Sequence, residues 1–239
     1  MIYVVGIGPG HPEGRTTEAT QAMVKADVLV GYTTYLDLLK SDFPDKEYYA
    51  TGMRAERERC EEAIRLSRMG KRVAVCCSGD SQVYGMASLV LELADSRDEV
   101  IVIPGVTAAL SAAACLGAPI SGDFSVISLS DLLTPWDVIE KRLRGAAVGD
   151  FVLAIYNPGS HTRTEHLARA CDILLEQRSP DAVCGLVRSI GREGQSQKLL
   201  TLSQLRNEPV DMLTTIIIGN SETVMKDGHL VTPRGYRIK

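Results

Sequence analysis

The sequence has little of what builds a metal centre. Only four of its 239 residues are histidines, and none stands in an HxxH or HExxH spacing. No CxxC pair occurs among the six cysteines, which are Cys60, Cys76, Cys77, Cys115, Cys171 and Cys184. Vicinal Cys76 and Cys77 would point to opposite faces of a strand and could not hold one ion together. We therefore predict reduced core cysteines and no metal, with a thiolate site as the alternative.

An excess of basic residues and a long apolar run are also missing. With 30 acidic against 26 basic side chains the formal charge is -4, so the chain lacks the basic surface that nucleic-acid binding requires. No apolar run reaches the roughly 18 residues that span a bilayer. The segment Met1 to Ile7 is already strand-like, so we expect no signal peptide. These features predict a cytoplasmic protein with neither nucleic acid nor membrane as a partner.

What is present is an alternation of strand-like and helical segments. Hydrophobic residues make up 45% and charged residues 23%, an ordinary globular composition. The strand-like runs Ile2 to Ile7 and Val73 to Cys77 are separated by amphipathic stretches at Thr17 to Ala26 and Arg54 to Met69. Such alternation predicts the α/β class with a mostly parallel sheet.

The organisation changes near the middle of the chain. The stretch Gly117 to Asp123, GAPISGD, is rich in turn formers and breaks both periodicities. We place a domain boundary there, with an N-terminal α/β domain over 1–118 and a C-terminal α/β domain over 119–239. Strands are expected at Phe124 to Leu129, Phe151 to Tyr156, Ala182 to Val187, Lys198 to Leu202 and Thr214 to Ile218. Thr162 and Glu165 form a capping-box pattern ahead of a helix.

Three loops of the first half each follow a predicted strand and precede a helix. They carry the sequences VGIGPG (Val5 to Gly10), SGDSQVYG (Ser78 to Gly85) and PGVTA (Pro104 to Ala108). Ligands of open parallel sheets bind beyond the carboxyl ends of the strands, which predicts one shared crevice. Asp80 could accept hydrogen bonds from an ammonium or ribose group, and a helix N-cap is its alternative role. For the first loop, a tight turn without a ligand is the alternative.

The second half repeats this placement of polar loops after strands. The loops are SLSDLLTPW (Ser128 to Trp136), YNPGSHTR (Tyr156 to Arg163), VRSIGREGQ (Val187 to Gln195) and the segment TTIIIGN (Thr214 to Asn220). Arginine side chains in the third loop could fork onto carboxylates, and a solvated β-hairpin loop is the alternative. Trp136 is more typical of a core anchor than of a stacking surface.

Taken in order, VGIGPG, SGDSQVYG, PGVTAA, SLSDLLTPW, YNPGSHTR, GREGQ and TTIIIGN resemble the tetrapyrrole methylase family over nearly the whole chain. GMRAERER (Gly52 to Arg59) and the fourth and fifth motifs most resemble members that methylate C17 of precorrin-3B or its cobalt-bound counterpart. The resemblance implies two α/β domains, with a mostly parallel first sheet, a mixed second sheet and a cofactor cleft between them. It also implies S-adenosyl-L-methionine as methyl donor, S-adenosyl-L-homocysteine as product, a tetrapyrrole substrate and a homodimer.

The resemblance also assigns roles to individual positions. Cofactor-binding positions would be Pro9, Ser78, Gly79, Asp80, Val83, Thr107, Ala108, Tyr156, Asn157, Arg188 and Thr215. Ser81 departs from the commoner SGDP or SGDA form of the second motif. Arg54, Arg163 and Arg192 are predicted to clamp substrate carboxylates. Because the implied reaction includes ring contraction, it needs acid–base help, for which the loop residues Asp131, His161 and Glu193 are candidates, each with a structural role as its alternative.

Three alternative functions stay open at this point. A sister methylase acting at another ring position, such as C11 or C20, would share the same loops. A dinucleotide oxidoreductase would need a third glycine where His11 stands, and Pro9 removes an amide that a pyrophosphate would use. A non-catalytic tetrapyrrole carrier would bind the macrocycle without methylating it.

Overall fold

A computed structural model of the chain describes residues 1–236, and it divides into two compact units, Met1–Ala108 and Ala109–Lys239. The first unit alternates strands with helices. In chain order it contains β1 (Ile2–Gly6), a 3-10 helix (Pro12–Gly14), α1 (Thr17–Lys25), β2 (Val28–Tyr32), α2 (Thr33–Asp37), β3 (Glu47–Thr51), α3 (Glu56–Arg68), β4 (Val73–Cys77), α4 (Ala87–Leu93) and β5 (Val100–Ile103).

The sheet of the first unit is parallel throughout, with strand order β3-β2-β4-β1-β5. Alternate residues of β1 enter different cores, as the period of two along a strand requires. Tyr3 and Val5 pack with one apolar cluster that includes Met23 of α1, whereas Ile2 and Val4 pack with another that includes Cys60 of α3. Helices therefore cover both faces, as expected of a buried parallel sheet.

Helix α3 shows how the sequence pattern selects a helical segment. Its buried residues include Cys60, Ala63 and Ile64, spaced for one face of a helix, and Arg57 pairs with Glu61 one turn later at 2.7 Å. The helix ends just before Gly70, whose φ of 89° lies in the left-handed region.

The second unit is built around a mixed sheet. Its elements are α5 (Ala108–Leu116), β6 (Gly117–Ala118), β7 (Phe124–Ser128), α6 (Trp136–Val148), β8 (Val152–Tyr156), α7 (His166–Leu175), β9 (Val183–Arg188), β10 (Ser196–Thr201), α8 (Leu202–Leu205), β11 (Thr214–Ile218), β12 (Val224–Lys226) and β13 (His229–Val231). The main sheet has the order β10-β9-β11-β8-β7, in which β7 and β8 run parallel and the other pairs antiparallel. A small sheet joins β12, β13 and β6.

Helix α5 packs within the second unit. Ala109, Ala112 and Leu116 share a core cluster with residues of β8, β9 and β11, and Gly117 of β6 pairs with Leu230 of β13. The compact units accordingly divide at Ala108 and Ala109. The domain boundary after residue 118 stays a prediction, as does the position of a cofactor cleft.

The predicted fold class is confirmed, because the first sheet is parallel and the second is mixed. The predicted capping box at Thr162 and Glu165 is wrong. Helix α7 starts only at His166, and Glu165 precedes it without a side-chain capping bond. Thr162 instead lies in a turn closed by two backbone hydrogen bonds between Ser160 and Arg163, so the chain is still turning where the pattern predicts a helix.

Five of the six cysteines are buried, and Cys115 is half-buried. Burial raises the pKa of Cys60 to about 12, so this thiol stays protonated at neutral pH. Across residues 1–236, no three or more His, Cys, Asp and Glu side chains gather as a possible metal site. Over the same residues, none of the helices combines the length and apolarity needed to cross a bilayer.

The packing of α5 onto the main sheet of the second unit gives a first prediction. Leu116 is 1% exposed and fills the space above Gly185 of β9, where an added Cβ would lie 2.6 Å from its methyl carbons. Leu116→Ala should lower the free energy of unfolding by about 2–5 kcal/mol. Adding Gly185→Ala to Leu116→Ala should cost less than Gly185→Ala alone, since the new methyl then enters vacated space. Denaturant titration measures all three variants.

The control for this prediction is Leu110→Ala, because Leu110 lies on the same helix but is 46% exposed. Its effect should stay within about 0.5 kcal/mol. Strictly additive costs for Leu116→Ala and Gly185→Ala would contradict the contact.

Candidate functional site

Three loops of the first unit leave its sheet at one edge. Gly6 pairs with Cys77 and Val5 with Ile103, so β1, β4 and β5 end side by side. The first two loops are joined directly beyond the strands, because Gly8 and Gly79 exchange backbone hydrogen bonds of 3.0 and 2.8 Å. The predicted convergence of VGIGPG, SGDSQVYG and PGVTA at the carboxyl edge of this sheet is therefore seen in the structure.

The three loops touch through glycine backbones. A Cβ on Gly105 would lie 2.2 Å from the carbonyl oxygen of Gly79 and 2.7 Å from the carbonyl of Gly6. A Cβ on Gly6 would lie 2.6 Å from the amide nitrogen of Gly105. Main-chain atoms cannot rotate away from such an overlap, so Gly6 and Gly105 must lack side chains here, whereas Gly79 contributes its carbonyl oxygen and has a φ of 70°. We call this contact the glycine junction (Gly6, Gly79 and Gly105).

The side chain of Asp80 holds the loops of the glycine junction together. One carboxylate oxygen accepts hydrogen bonds from the amides of Gln82 and Val83 at 2.9 and 3.0 Å, and the other accepts from the amide of Gly105 at 2.9 Å. Burial at 8% exposure raises the pKa of Asp80, but the backbone donors outweigh burial and hold it below its usual value. The carboxylate is thus ionised and fixes the second loop against the third.

Asp80 is not the N-cap of helix α4, although a helix cap was its alternative role. Its bonds to Gln82 and Val83 close a turn, whereas α4 begins later, at Ala87. The neighbouring Ser81 is fully buried, and its hydroxyl has no hydrogen-bond partner within residues 1–236. The other predicted cofactor positions of this unit lie in the same three loops and are partly exposed: Pro9, Ser78, Val83, Thr107 and Ala108.

Arg54 belongs to a separate loop, which follows β3 at the far side of the sheet. It is exposed and has a φ of 63°, an unusual backbone conformation for a side-chain-bearing residue. Below it, the buried side chain of Arg59 donates to the Gly52 carbonyl at 3.1 Å and to the Thr51 hydroxyl at 2.9 Å. The same guanidinium contacts the sulfur of Met86 at 3.7 Å, which connects this loop to the end of the second glycine loop. Arg59 was not identified from the sequence.

In the second unit, four strands bring predicted site residues to one edge of the main sheet. Strands β7 and β8 end there together because they are parallel. Strand β11 runs the other way and begins there, since Ile216 pairs with Ile155, and Thr214 pairs with Arg188 at the end of β9. Tyr156, Arg188 and Thr215 therefore lie at the same edge. The Tyr156 hydroxyl accepts a hydrogen bond from the Ala109 amide at 2.6 Å.

A polar network connects the two loops that follow β7 and β8. Asn157, with a φ of 52°, donates from its side chain to the Ser128 hydroxyl at 2.9 Å. That hydroxyl also accepts from the Ser130 amide, and the Ser130 hydroxyl accepts from Arg163 at 3.3 Å. The Nε of Arg163 is buried without a hydrogen-bond partner within residues 1–236. The role of Arg163 toward a substrate carboxylate stays a prediction.

Asp131 pairs with His166, a residue that sequence reasoning did not select. The imidazole Nε2 lies 2.9 Å from Asp131 Oδ2, and the hydrogen bond to His166 holds the pKa of Asp131 below its usual value. The two residues are 35 positions apart, and no spacing rule relates them. His166 therefore adds a histidine beside Asp131, and the role predicted for His161 stays a prediction.

The remaining predicted residues of the second unit lie in two loops and at the end of β9. His161 and Glu193 are exposed in their loops, and Arg192 is half-buried in the 189–195 connection. This connection joins the antiparallel strands β9 and β10, so it is the β-hairpin loop that stood as the alternative. Arg188 donates to Asp211 at 2.8 Å in a half-exposed ion pair. Their roles toward a ligand stay predictions.

The depressed pKa of Asp80 makes the stability of this site depend on pH. An ionised Asp80 stabilises the folded state above the unfolded pKa of about 3.9, and this contribution is lost as pH falls through the lower folded pKa. Asp80→Asn should lower the free energy of unfolding by about 1.5–3 kcal/mol at neutral pH. As pH falls below the unfolded pKa of about 3.9, the difference from the parent protein should shrink. Urea titrations across pH measure it.

Asp45→Asn is the matched control, because Asp45 is exposed and lies outside the three loops. It should leave stability nearly unchanged at every pH. A difference between Asp80→Asn and the parent protein that grows on acidification would contradict the assignment.

The whole chain is similar to known proteins. The family model of tetrapyrrole (corrin/porphyrin) methylases matches residues 1–206. A probable cobalt-factor III C(17)-methyltransferase of Salmonella typhimurium is 48% identical over 241 residues, with 100% of both chains covered. The crystal structure of the methyltransferase CobJ superposes with a TM-score of 0.89 at 34% identity, covering 97% of this chain and 99% of that one.

A third similarity concerns the fold. Uroporphyrin-III C-methyl transferase from Thermus thermophilus, complexed with S-adenosylhomocysteine, has a TM-score of 0.70 at 22% identity, covering 91% of this chain and 96% of that chain. The family model covers most of the chain, and the Salmonella relative is matched over its full length. The chain belongs to the family of tetrapyrrole (corrin/porphyrin) methylases.

Proposed function

We propose that this protein transfers a methyl group from S-adenosylmethionine to C17 of a cobalt-bound corrin precursor of the cobalt-factor III type, with contraction of the ring. The observation that carries the proposal is the similarity to the Salmonella enzyme, which is 48% identical and extends over both chains entirely. Precorrin-3B, the metal-free counterpart, is the substrate to be distinguished from it. The proposed setting is cobalamin biosynthesis, by a homodimer in the cytoplasm.

The three glycine loops of the first unit suit a cationic methyl donor. Among residues 7–10, 78–86 and 104–107, Asp80 is the one formally charged side chain at neutral pH, and its lowered pKa keeps it anionic. The donor has a positively charged sulfonium and an ammonium, so the field of this ionised carboxylate favours binding. The residues expected to hold the donor are Ser78, Gly79, Asp80, Val83, Thr107 and Ala108, with Pro9 beside them.

Bound S-adenosylmethionine supplies an activated methyl, whose C–S bond breaks as the new C–C bond forms, leaving the electron pair on sulfur. The protein needs to align carbon and sulfonium rather than supply a strong base for this step. The glycine junction does so by rigidity, because loops locked by backbone contacts and by three hydrogen bonds to Asp80 need little reorganisation. Tyr156, Asn157, Arg188 and Thr215 complete the proposed donor contacts.

The substrate carries carboxylates around a flat ring, and the second unit offers a cation for them. Arg163 has a buried Nε without a partner in the described chain, and one of its terminal nitrogens is held by Ser130. A positively charged guanidinium can bind a carboxylate through charge-assisted hydrogen bonds whose geometry its planar fork fixes. Arg54 and Arg192 are proposed as further clamps.

The methyl group is transferred as CH3⁺, so the macrocycle must release one proton to keep its charge, and a side chain beside the contracting ring can take that proton. Asp131 suits this role best among the candidates, because it is half-exposed, ionised and held by His166. His161 and Glu193 are exposed loop residues, and they stay candidates for transfer of the proton to solvent.

The central test combines binding and product analysis. Calorimetry should detect S-adenosylhomocysteine binding to the parent protein. Incubation with S-adenosylmethionine and the cobalt-bound substrate should give a product heavier by one methyl, with NMR of the labelled methyl placing it at C17. Methylation of the metal-free substrate alone would assign precorrin-3B instead. A methyl at another position would indicate a sister enzyme, and macrocycle binding without methyl transfer would indicate a carrier. Either outcome would overturn the proposal.

Arg163→Gln tests the carboxylate clamp. Loss of a charge-assisted hydrogen bond is worth about 1.5–3 kcal/mol, so KM for the tetrapyrrole should rise about 10- to 100-fold while S-adenosylhomocysteine binding is retained. Arg206→Gln is the control, because Arg206 forms an exposed ion pair with Asp172 on the same unit. An unchanged KM in Arg163→Gln would remove Arg163 from substrate binding.

A further inference from the structure

We propose that His166 is a positioning residue that fixes the carboxylate of Asp131 for proton transfer during ring contraction, so that the two act as one unit. The inference rests on the proposed function, in which Asp131 is the proton acceptor. It concerns a residue that no sequence motif singled out and that acts through Asp131 without touching the substrate itself.

The geometry of the pair is that of a held carboxylate. His166 Nε2 lies 2.9 Å from Asp131 Oδ2, and the side chains are 13% and 41% exposed respectively. The histidine is thus largely enclosed while the carboxylate reaches solvent. A side chain on a surface loop would otherwise sample several rotamers, and a hydrogen bond from an enclosed partner removes most of that freedom.

The imidazole of His166 packs against Trp136, which in turn packs against Arg169. The ring of Trp136 meets it edge-on, with centroids 5.1 Å apart and an interplanar angle of 87°. The guanidinium carbon of Arg169 lies 4.0 Å from the centroid of the same indole. Trp136 and His166 are the first residues of α6 and α7, so two helix starts determine where the imidazole sits. Asp131 lies in the loop before α6, and its hydrogen bond to His166 fixes its carboxylate relative to these two helix starts.

The second ring nitrogen decides which proton the imidazole carries. Nδ1 of His166 is buried and has no hydrogen-bond partner within residues 1–236. A proton on Nδ1 would bury an unsatisfied donor, whereas a proton on Nε2 is bonded to Asp131. The neutral Nε2–H tautomer therefore fits this site, and it donates to the carboxylate without competing for the substrate's proton. When Asp131 takes that proton, the same N–H can remain bonded to it.

A purely structural role for His166 makes a different prediction. If the imidazole only stabilised the start of α7, removing it would harm the enzyme equally whether or not Asp131 could ionise. If it acts through Asp131, its removal should have no further effect once Asp131 can no longer accept the proton. A double-mutant cycle separates the two cases.

The experiment compares the parent protein with Asp131→Asn, His166→Ala, the double variant and His166→Gln. Asp131→Asn should lower kcat for formation of the ring-contracted product by about 10²-fold or more, with S-adenosylhomocysteine binding unchanged. His166→Ala should lower kcat about 10-fold or more, with KM little changed. The double variant should fall within about twofold of Asp131→Asn.

His166→Gln provides the rescue. Its amide nitrogen can replace the Nε2–H donor, so most of the turnover lost in His166→Ala should return, whereas a shorter asparagine cannot reach Asp131. Glu165→Gln is the matched control, since Glu165 is exposed, adjacent and not bonded to the helix start by its side chain. It should keep parental turnover.

The proposal would be overturned if the fold-losses in kcat of Asp131→Asn and His166→Ala multiplied in the double variant. Equal turnover of His166→Gln and His166→Ala would also overturn it. If His166→Ala does not fold, as judged by loss of S-adenosylhomocysteine binding, His166→Asn takes its place in the cycle with the same criteria. Failure of the proposed function is a separate result, because the parent protein itself would then show no methyl transfer.

Discussion

The bonds between the Asp80 carboxylate and backbone amides are the interaction on which the first unit's site depends. Three parallel strands deliver their loops to one edge, but parallel order alone leaves those loops free to move apart. Glycine at positions 6 and 105 lets the main chains touch, and the carboxylate then ties the second loop to the third. The bonds that fix the loops also keep the carboxylate charged, because each amide donor favours the anion over the acid. Shape and electrostatics at this edge therefore have one cause.

The second unit reaches a comparable result by another route. Its sheet is mainly antiparallel, yet the single parallel pair β7 and β8 places the loops beginning at Leu129 and Asn157 side by side. These loops are held by side chains rather than by glycine backbones: Ser128 receives Asn157, and Ser130 receives Arg163. The loops of the first unit are thus fixed by one buried carboxylate, and those of the second unit by hydrogen bonds between side chains.

Sequence reasoning succeeded where burial alone selects a structure. Strands β4 and β11 are buried along their full length, and their bounds were predicted without error. Strand β3 was missed because its burial is irregular and it lies at the sheet edge, so no clear alternation marks it. The sequence predicts where the loops of the site lie, but it does not predict which hydrogen bonds their side chains make. That Asp80 binds Gly105, and Asp131 binds His166, depends on contacts between segments 25 and 35 residues apart, which local patterns do not encode.

Arg59 has a consequence of its own. It is a cation buried at 4% exposure whose described hydrogen-bond acceptors are neutral, the Gly52 carbonyl, the Thr51 hydroxyl and the Met86 sulfur. Desolvating such a charge is costly, so its few acceptors cannot be given up separately. Losing any one of these acceptors would leave a buried donor unpaired, so the turn after β3 and the start of α4 are both held to the same guanidinium.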